Sequence, residues 1–252
     1  MELRSNIKML NYARKYLLND TDNILPFPVR PQKPPRTGRL PTLLPRSAPR
    51  DEGVPAAALD TLYADMLAFF RPLWPGEDKP LVLGEGKSEA PALMLIGEAP
   101  GETEVLKRKP FVGRAGKNLD EFLSLAGLKR EEIFVTNVVK IRPVEVGPTG
   151  RSRNRAPNRE ELALFTPWLL REIALVRPRA LVTLGNVPLR ALAAEKTTVG
   201  DAHGVWRESR AGMPLFPLYH PASIIYRRAL APVYEQDVLR LAASLPGKIS
   251  AP

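Results

Sequence analysis

Residues 93–116 read LMLIGEAPGETEVLKRKPFVGRAG and set two carboxylates and one aromatic ring beside a stiff loop. Glu98 and Glu104 are the acids and Phe111 is the ring. The loop is Gly97-Glu98-Ala99-Pro100-Gly101, whose glycines let backbone approach a ligand closely while Pro100 fixes one φ angle. This set makes a pocket wall. Ala99, Pro100 and Gly101 offer close contacts, Phe111 offers a stacking face, and the glutamates offer acid–base chemistry. Two nucleotide-cofactor readings fail. A P-loop needs a glycine five residues before Gly116, where Phe111 stands, and Ser or Thr where Asn118 stands. The glycine spacing is not a dinucleotide fingerprint either.

Three other stretches carry residues that suit the same wall. Asn137 ends an apolar run. Its amide can pair with a base edge presenting a donor beside an acceptor, or it can close a strand-end turn. Residues 141–157 hold Arg142, Arg151, Arg153 and Arg155 among Gly and Pro, which suits phosphate contacts or a solvated loop. His220, one of two histidines, precedes Pro221 and the run Ser223, Ile224, Ile225, Tyr226, Arg227, Arg228. Apolar residues flanked by arginine suit a wedge in stacked bases, and equally the buried start of a helix. His203 reads as structural.

The elements that must position these residues follow from periodicity and turn signals. Helices are expected over 56–70, 114–126, 158–175, 186–194 and 232–245. Strands are expected over 93–96, 133–138, 180–184, 205–208 and 215–219, with an extended segment at 81–84 and a loop over 141–157. Alternating strand and helix predict a three-layer α/β/α fold with a central, mainly parallel four-stranded sheet. Right-handed crossovers then bring the strand-end loops to one rim. This domain spans 56–246. Before it, residues 1–20 read as a basic amphipathic helix that docks on its own domain, on DNA or on a partner. Residues 21–55 read as a Pro-rich basic linker.

The net charge of +10 over 252 residues favours polyanion partners, nucleic acid first. The absence of cysteine excludes thiolate zinc sites, iron–sulfur clusters and thiol nucleophiles. Two histidines are too few for a multi-His metal site. No run of 18 apolar residues is present, and the N-terminus has no apolar signal core, so a cytoplasmic, nucleoid-associated monomer is expected.

GEAPG, Glu104, PFVGRAG, TNVVK-x-RP, NRAPNREE, ALVTLG and YHPAS together resemble the family 4 uracil-DNA glycosylases, from about residue 80 to 245. The resemblance implies that Glu98 and Ala99 approach the sugar and the water, and that Glu104 is an acid needed for activity. It implies that Phe111 stacks on a flipped uracil, Asn137 reads the uracil edge, and His220 polarises the O2 oxygen of the leaving base. The residues after His220 enter the duplex. Four departures stand out. The family holds an iron–sulfur cluster on four cysteines; Ile141 and Phe165 occupy two of those places here, and none of the four is Cys. The loop 144–153 is longer than usual. Val105 stands where Asp is common. Ala99 stands where another branch of the superfamily has a catalytic Asp.

The activity expected is excision of uracil from DNA in base excision repair, with base flipping and no cofactor. Uracil-containing DNA is the partner, and a repair or replication protein is a candidate for the N-terminal helix. A glycosylase for hypoxanthine or xanthine, and a DNA-binding repair protein that has lost catalysis, remain as alternatives.

Overall fold

The computed structural model describes residues 55–148 and 150–245. The helix expected over 1–20 and, Pro55 apart, the linker expected over 21–55 lie outside the described residues. Leu93–Gly97 forms strand β2, buried at every position. It pairs in parallel with β3 (Phe134–Asn137) on one side and β6 (Ala180–Leu184) on the other, and β8 (Pro214–Leu218) lies parallel beside β6. These four are the parallel strands expected from the sequence. Two-residue antiparallel strands close the edges, β1 (Glu85–Gly86) on β3 and β7 (Arg207–Glu208) on β8. The order is β1-β3-β2-β6-β8-β7.

Side chains alternate across the sheet, so each face has its own partners. Leu93, Leu95, Val135, Val182 and Phe216 join Leu119 and Leu123 of helix α3 (Arg114–Leu125). Tyr234, Val238 and Leu241 of α8 (Ala231–Ala243) complete that core. On the opposite face Thr136 meets Glu172 of α4 (Arg159–Val176), which lies against α1 (Pro55–Phe70). A full capping box starts α4. Asn158 Oδ1 accepts from the Glu161 N–H and Glu161 Oε2 accepts from the Asn158 N–H, both at 2.8 Å.

An aromatic column pins α1 to α4. Phe70 stacks on Phe165 with centroids 4.3 Å apart and planes 5° from parallel, and Trp74 stacks on Phe70 at 5.5 Å. Trp168 packs on Phe69 at 5.4 Å. Phe165 and Ile141 are buried. An iron–sulfur cluster needs thiolates, and the chain has none. Apolar side chains fill the two positions that the resemblance gives to cysteine, so the residues present do not fit that group.

Several expectations are corrected. The segment 141–157 is not irregular throughout: β4 (Val144–Val146) and β5 (Ser152–Asn154) form an antiparallel hairpin. Gly150, at φ +75°, donates to the Gly147 carbonyl and closes its turn. The segment 81–84 leads into the edge strand, whose pairing begins at Glu85, and its Val82 N–H donates to Lys140 O at 2.7 Å. Short helices α2 (Glu102–Lys107) and α7 (Pro221–Tyr226) lie in stretches read as loops. Helices α5 (Asn186–Leu192) and α6 (Val199–Ala202) complete the set of α-helices among the described residues. No helix among them is long and apolar enough to cross a membrane.

Candidate active site

Because β3, β2, β6 and β8 run in one direction, their carboxyl ends share a rim. The chain passes from β2 to β3 on one side and later to β6 on the other. The loop after β2 therefore sits at the topological switch, where open α/β sheets bind ligands. Backbone bonds tie this loop to the end of β3: Val138 N–H donates to Gly97 O at 2.9 Å and Val139 N–H to Glu98 O at 3.0 Å.

A cleft of about 320 Å³ opens at this rim. Ala99, Pro100, Gly101 and Glu104 line one part of it, and Phe111, Asn137 and His220 another. Gly97 is what allows Asn137 and Phe111 to meet. A Cβ there would collide with Asn137 Oδ1 and the Phe111 ring. Both residues are buried, at 2% and 5% exposure, although they face a cleft.

Phe111 adopts φ +52°, an uncommon left-handed conformation for a bulky residue. Arg130 holds it there, donating to Phe111 O at 3.0 Å and Pro110 O at 2.6 Å while pairing with Asp120 at 2.8 Å. Gly116 leaves room for the Phe111 carbonyl, which a Cβ would strike. Glu104 Oε1 accepts from the Gly113 N–H at 2.8 Å. The PFVGRAG motif thus orients the ring and one carboxylate together.

His220 follows β8, and its ring centroid lies 6.1 Å from that of Phe111. The Ala222 N–H donates to Nδ1 at 3.1 Å. That bond makes Nδ1 the acceptor and assigns the ring proton to Nε2. Burial lowers the pKa of His220 to about 4, against a smaller upward pull from Glu104. The imidazole is therefore a neutral donor at neutral pH. Asn118 Nδ2, donating to Pro221 O at 3.3 Å, ties α3 to this turn.

Other expected residues are placed differently. Glu98 is half-buried, and burial pushes its carboxyl up, but it stands outside the residues that line the cleft. Of the wedge run, Ile225 and Tyr226 line the cleft, and Tyr226 is 84% exposed. Ile224 packs on the core. The run is thus helical as far as Tyr226, with Ile224 on the core side and Ile225 and Tyr226 at the cleft. Ser223 lies in α7 outside the lining, and Arg227 and Arg228 are exposed just beyond it.

Arg155 is tied down by a two-bond pair with Glu161, at 2.7 Å each, and by a bond to Val144 O at 3.1 Å. Arg153 pairs with Glu145 at 2.9 Å on the hairpin, and Arg151 is exposed near its turn. Arg142 Nε donates to Asn154 Oδ1 at 2.7 Å, and its Nη1 to Glu102 at 3.2 Å. Asn154 lines the cleft and was not anticipated. Its sequence signal is its place at the head of the NRAPNREE motif, which by itself attaches no role to Asn154. Arg130 was missed too, since it reads as an ordinary surface charge.

A protein-family model described as the Uracil DNA glycosylase superfamily matches residues 83–242. The chain belongs to that superfamily. The Type-4 uracil-DNA glycosylase of Saccharolobus solfataricus is 36% identical over 178 residues, which cover 68% of this chain and 78% of the relative. The Type-4 uracil-DNA glycosylase of Pyrobaculum aerophilum is 38% identical over 169 residues, covering 64% and 81%. That of Thermotoga maritima is 33% identical over 150 residues, covering 59% and 73%. The match to the superfamily model takes in the whole cleft, from the loop after β2 to the end of α7.

Proposed function

We propose that this chain is a monofunctional DNA glycosylase that hydrolyses the N-glycosidic bond of uracil in DNA and leaves an abasic site. The observation that carries the reading is the neutral, Nδ1-accepting His220 in one cleft with Phe111 and Asn137. A base in a duplex is out of reach, so uracil leaves the stack first. Its face lies on Phe111 and its edge meets the Asn137 amide. Tyr226, exposed at the mouth, fills the gap in the stack.

As the C1′–N1 bond breaks, its electron pair passes to the base and charge gathers on O2. His220 Nε2–H donates to that oxygen. C1′ gains oxocarbenium character, which the Glu104 carboxylate stabilises while orienting water. The water oxygen then bonds to C1′ as its proton passes to the Glu104 carboxylate, and a proton returned through solvent neutralises the uracil anion. Exposed Arg151, Arg227 and Arg228 supply phosphate contacts.

The test is an end-labelled oligonucleotide with one uracil, in single strand and opposite G or A, treated with alkali after incubation. A cut at uracil is expected. With His220→Ala or Asn137→Ala, cutting should fall by roughly 100-fold or more while DNA affinity is kept. Full activity in both variants would refute the assigned roles. A cut only at hypoxanthine or xanthine would reassign the substrate.

A further inference from the structure

Behind Asn137, away from the cleft, a charged pair is sealed in the fold. Lys140 and Glu172 have no exposed side-chain surface, and Lys140 Nζ lies 2.7 Å from Glu172 Oε2. The ammonium also donates to Thr136 Oγ1 and, at 2.8 Å, to the main-chain carbonyl of Asn137. Its three donors are all used. Glu172 is held in turn by the Tyr63 hydroxyl at 2.6 Å and by Thr136 Oγ1 at 3.1 Å.

Such a pair is a weak source of stability. Desolvating two charges offsets most of their attraction, and apolar residues of like volume often serve as well. Burial pulls the Lys140 pKa down while Glu172 pulls it up. What the arrangement does provide is direction, because one charge-assisted bond ends on the residue whose side chain lines the cleft.

We infer that Lys140 is a positioning residue for the base-reading Asn137: its buried ammonium fixes the Asn137 carbonyl, and Glu172 keeps the ammonium in place. The inference rests on the uracil-excising reading above. Asn137 is gripped from two sides, by Lys140 at its carbonyl and by the tight fit around Gly97 at its amide. Loosening the first grip lets the amide drift from the base edge. Misplacement on the order of 1 Å costs roughly 100-fold in rate.

The test uses the full chain and free uracil as the probe. Lys140→Met combined with Glu172→Gln removes both charges at near-constant volume and leaves no unpaired buried ion. The inhibition constant for free uracil is expected to rise about tenfold, and kcat/KM on a uracil oligonucleotide to fall at least as far, with Tm close to wild type. Tyr63→Phe is the control, since it weakens the far end of the network. It should lower Tm and leave uracil inhibition within about twofold. Should the double variant fail to fold, Lys140→Leu combined with Glu172→Gln, which also leaves no unpaired buried ion, is read in its place with the same expectation. Unchanged uracil inhibition in the Lys140 variant, or an equal loss in Tyr63→Phe, overturns the inference. A wild-type protein that neither excises uracil nor is inhibited by it overturns the functional reading, and the inference with it.

Discussion

At the scale of single residues, His220 gives a prediction in pH. Its ordinary pKa of about 6.5 is lowered to about 4 by burial. Between those values the unfolded chain binds a proton that the folded chain refuses, so stability rises with pH across that window. The stabilisation is complete above pH 6.5 and is lost as pH falls towards 4, by on the order of 3 kcal/mol. Urea unfolding at several pH values should show that slope, and His220→Asn should flatten it. Glu104 and Glu98 separate by place. Glu104 lines the cleft and Glu98 does not, so Glu104→Gln should lower kcat by roughly 100-fold and Glu98→Gln by less. Equal losses would show that cleft lining is the wrong criterion. The residues legible in the sequence were those set in distinctive motifs at or after strand ends: Glu104, Phe111, Asn137 and His220, all of which line the cleft. Arg130 and Asn154 were not legible, because their roles depend on partners far along the chain.

Among the elements, an aromatic column joins α1 to α4 by packing alone. Phe165→Ala should therefore cost about 3–5 kcal/mol, read as a drop in denaturation midpoint. Chelator treatment should leave both stability and uracil excision unchanged. A loss of either on chelation would contradict the fit of these residues. The helices and parallel strands were legible because long apolar periodicity survives without tertiary information. The β4–β5 hairpin was hidden, since its strands are three residues each and carry charge, Gly and Pro around them. Helix α7 was half-visible for a related reason: six residues show too little periodicity to separate a buried face from an exposed one.

Taken whole, the molecule is unevenly charged along its length. Residues 1–54 hold 10 basic and 5 acidic residues, about half of the net +10. If those charges meet DNA, a chain starting at Pro55 should bind with a shallower dependence on salt, while its excision rate at saturation stays near that of the full chain. The difference between the two slopes of log affinity against log salt, divided by about 0.9 for duplex DNA, gives the number of phosphates that residues 1–54 neutralise. Replacing Arg227 and Arg228 with Ala should reduce the same slope from within the domain. An unchanged slope in either case would remove that segment from the DNA interface.

The column of rings between α1 and α4 has an optical consequence. Of the three tryptophans, Trp74 and Trp168 belong to that column, and Trp206 packs on Phe216 with its indole N–H on Ser244. None lines the cleft. Intrinsic emission will therefore report on the integrity of the scaffold and stay largely dark to events at the rim. A fluorescent base analogue placed beside uracil can then test for extrusion in the same cuvette, and the two colours divide folding from events on the DNA without a single added label on the protein.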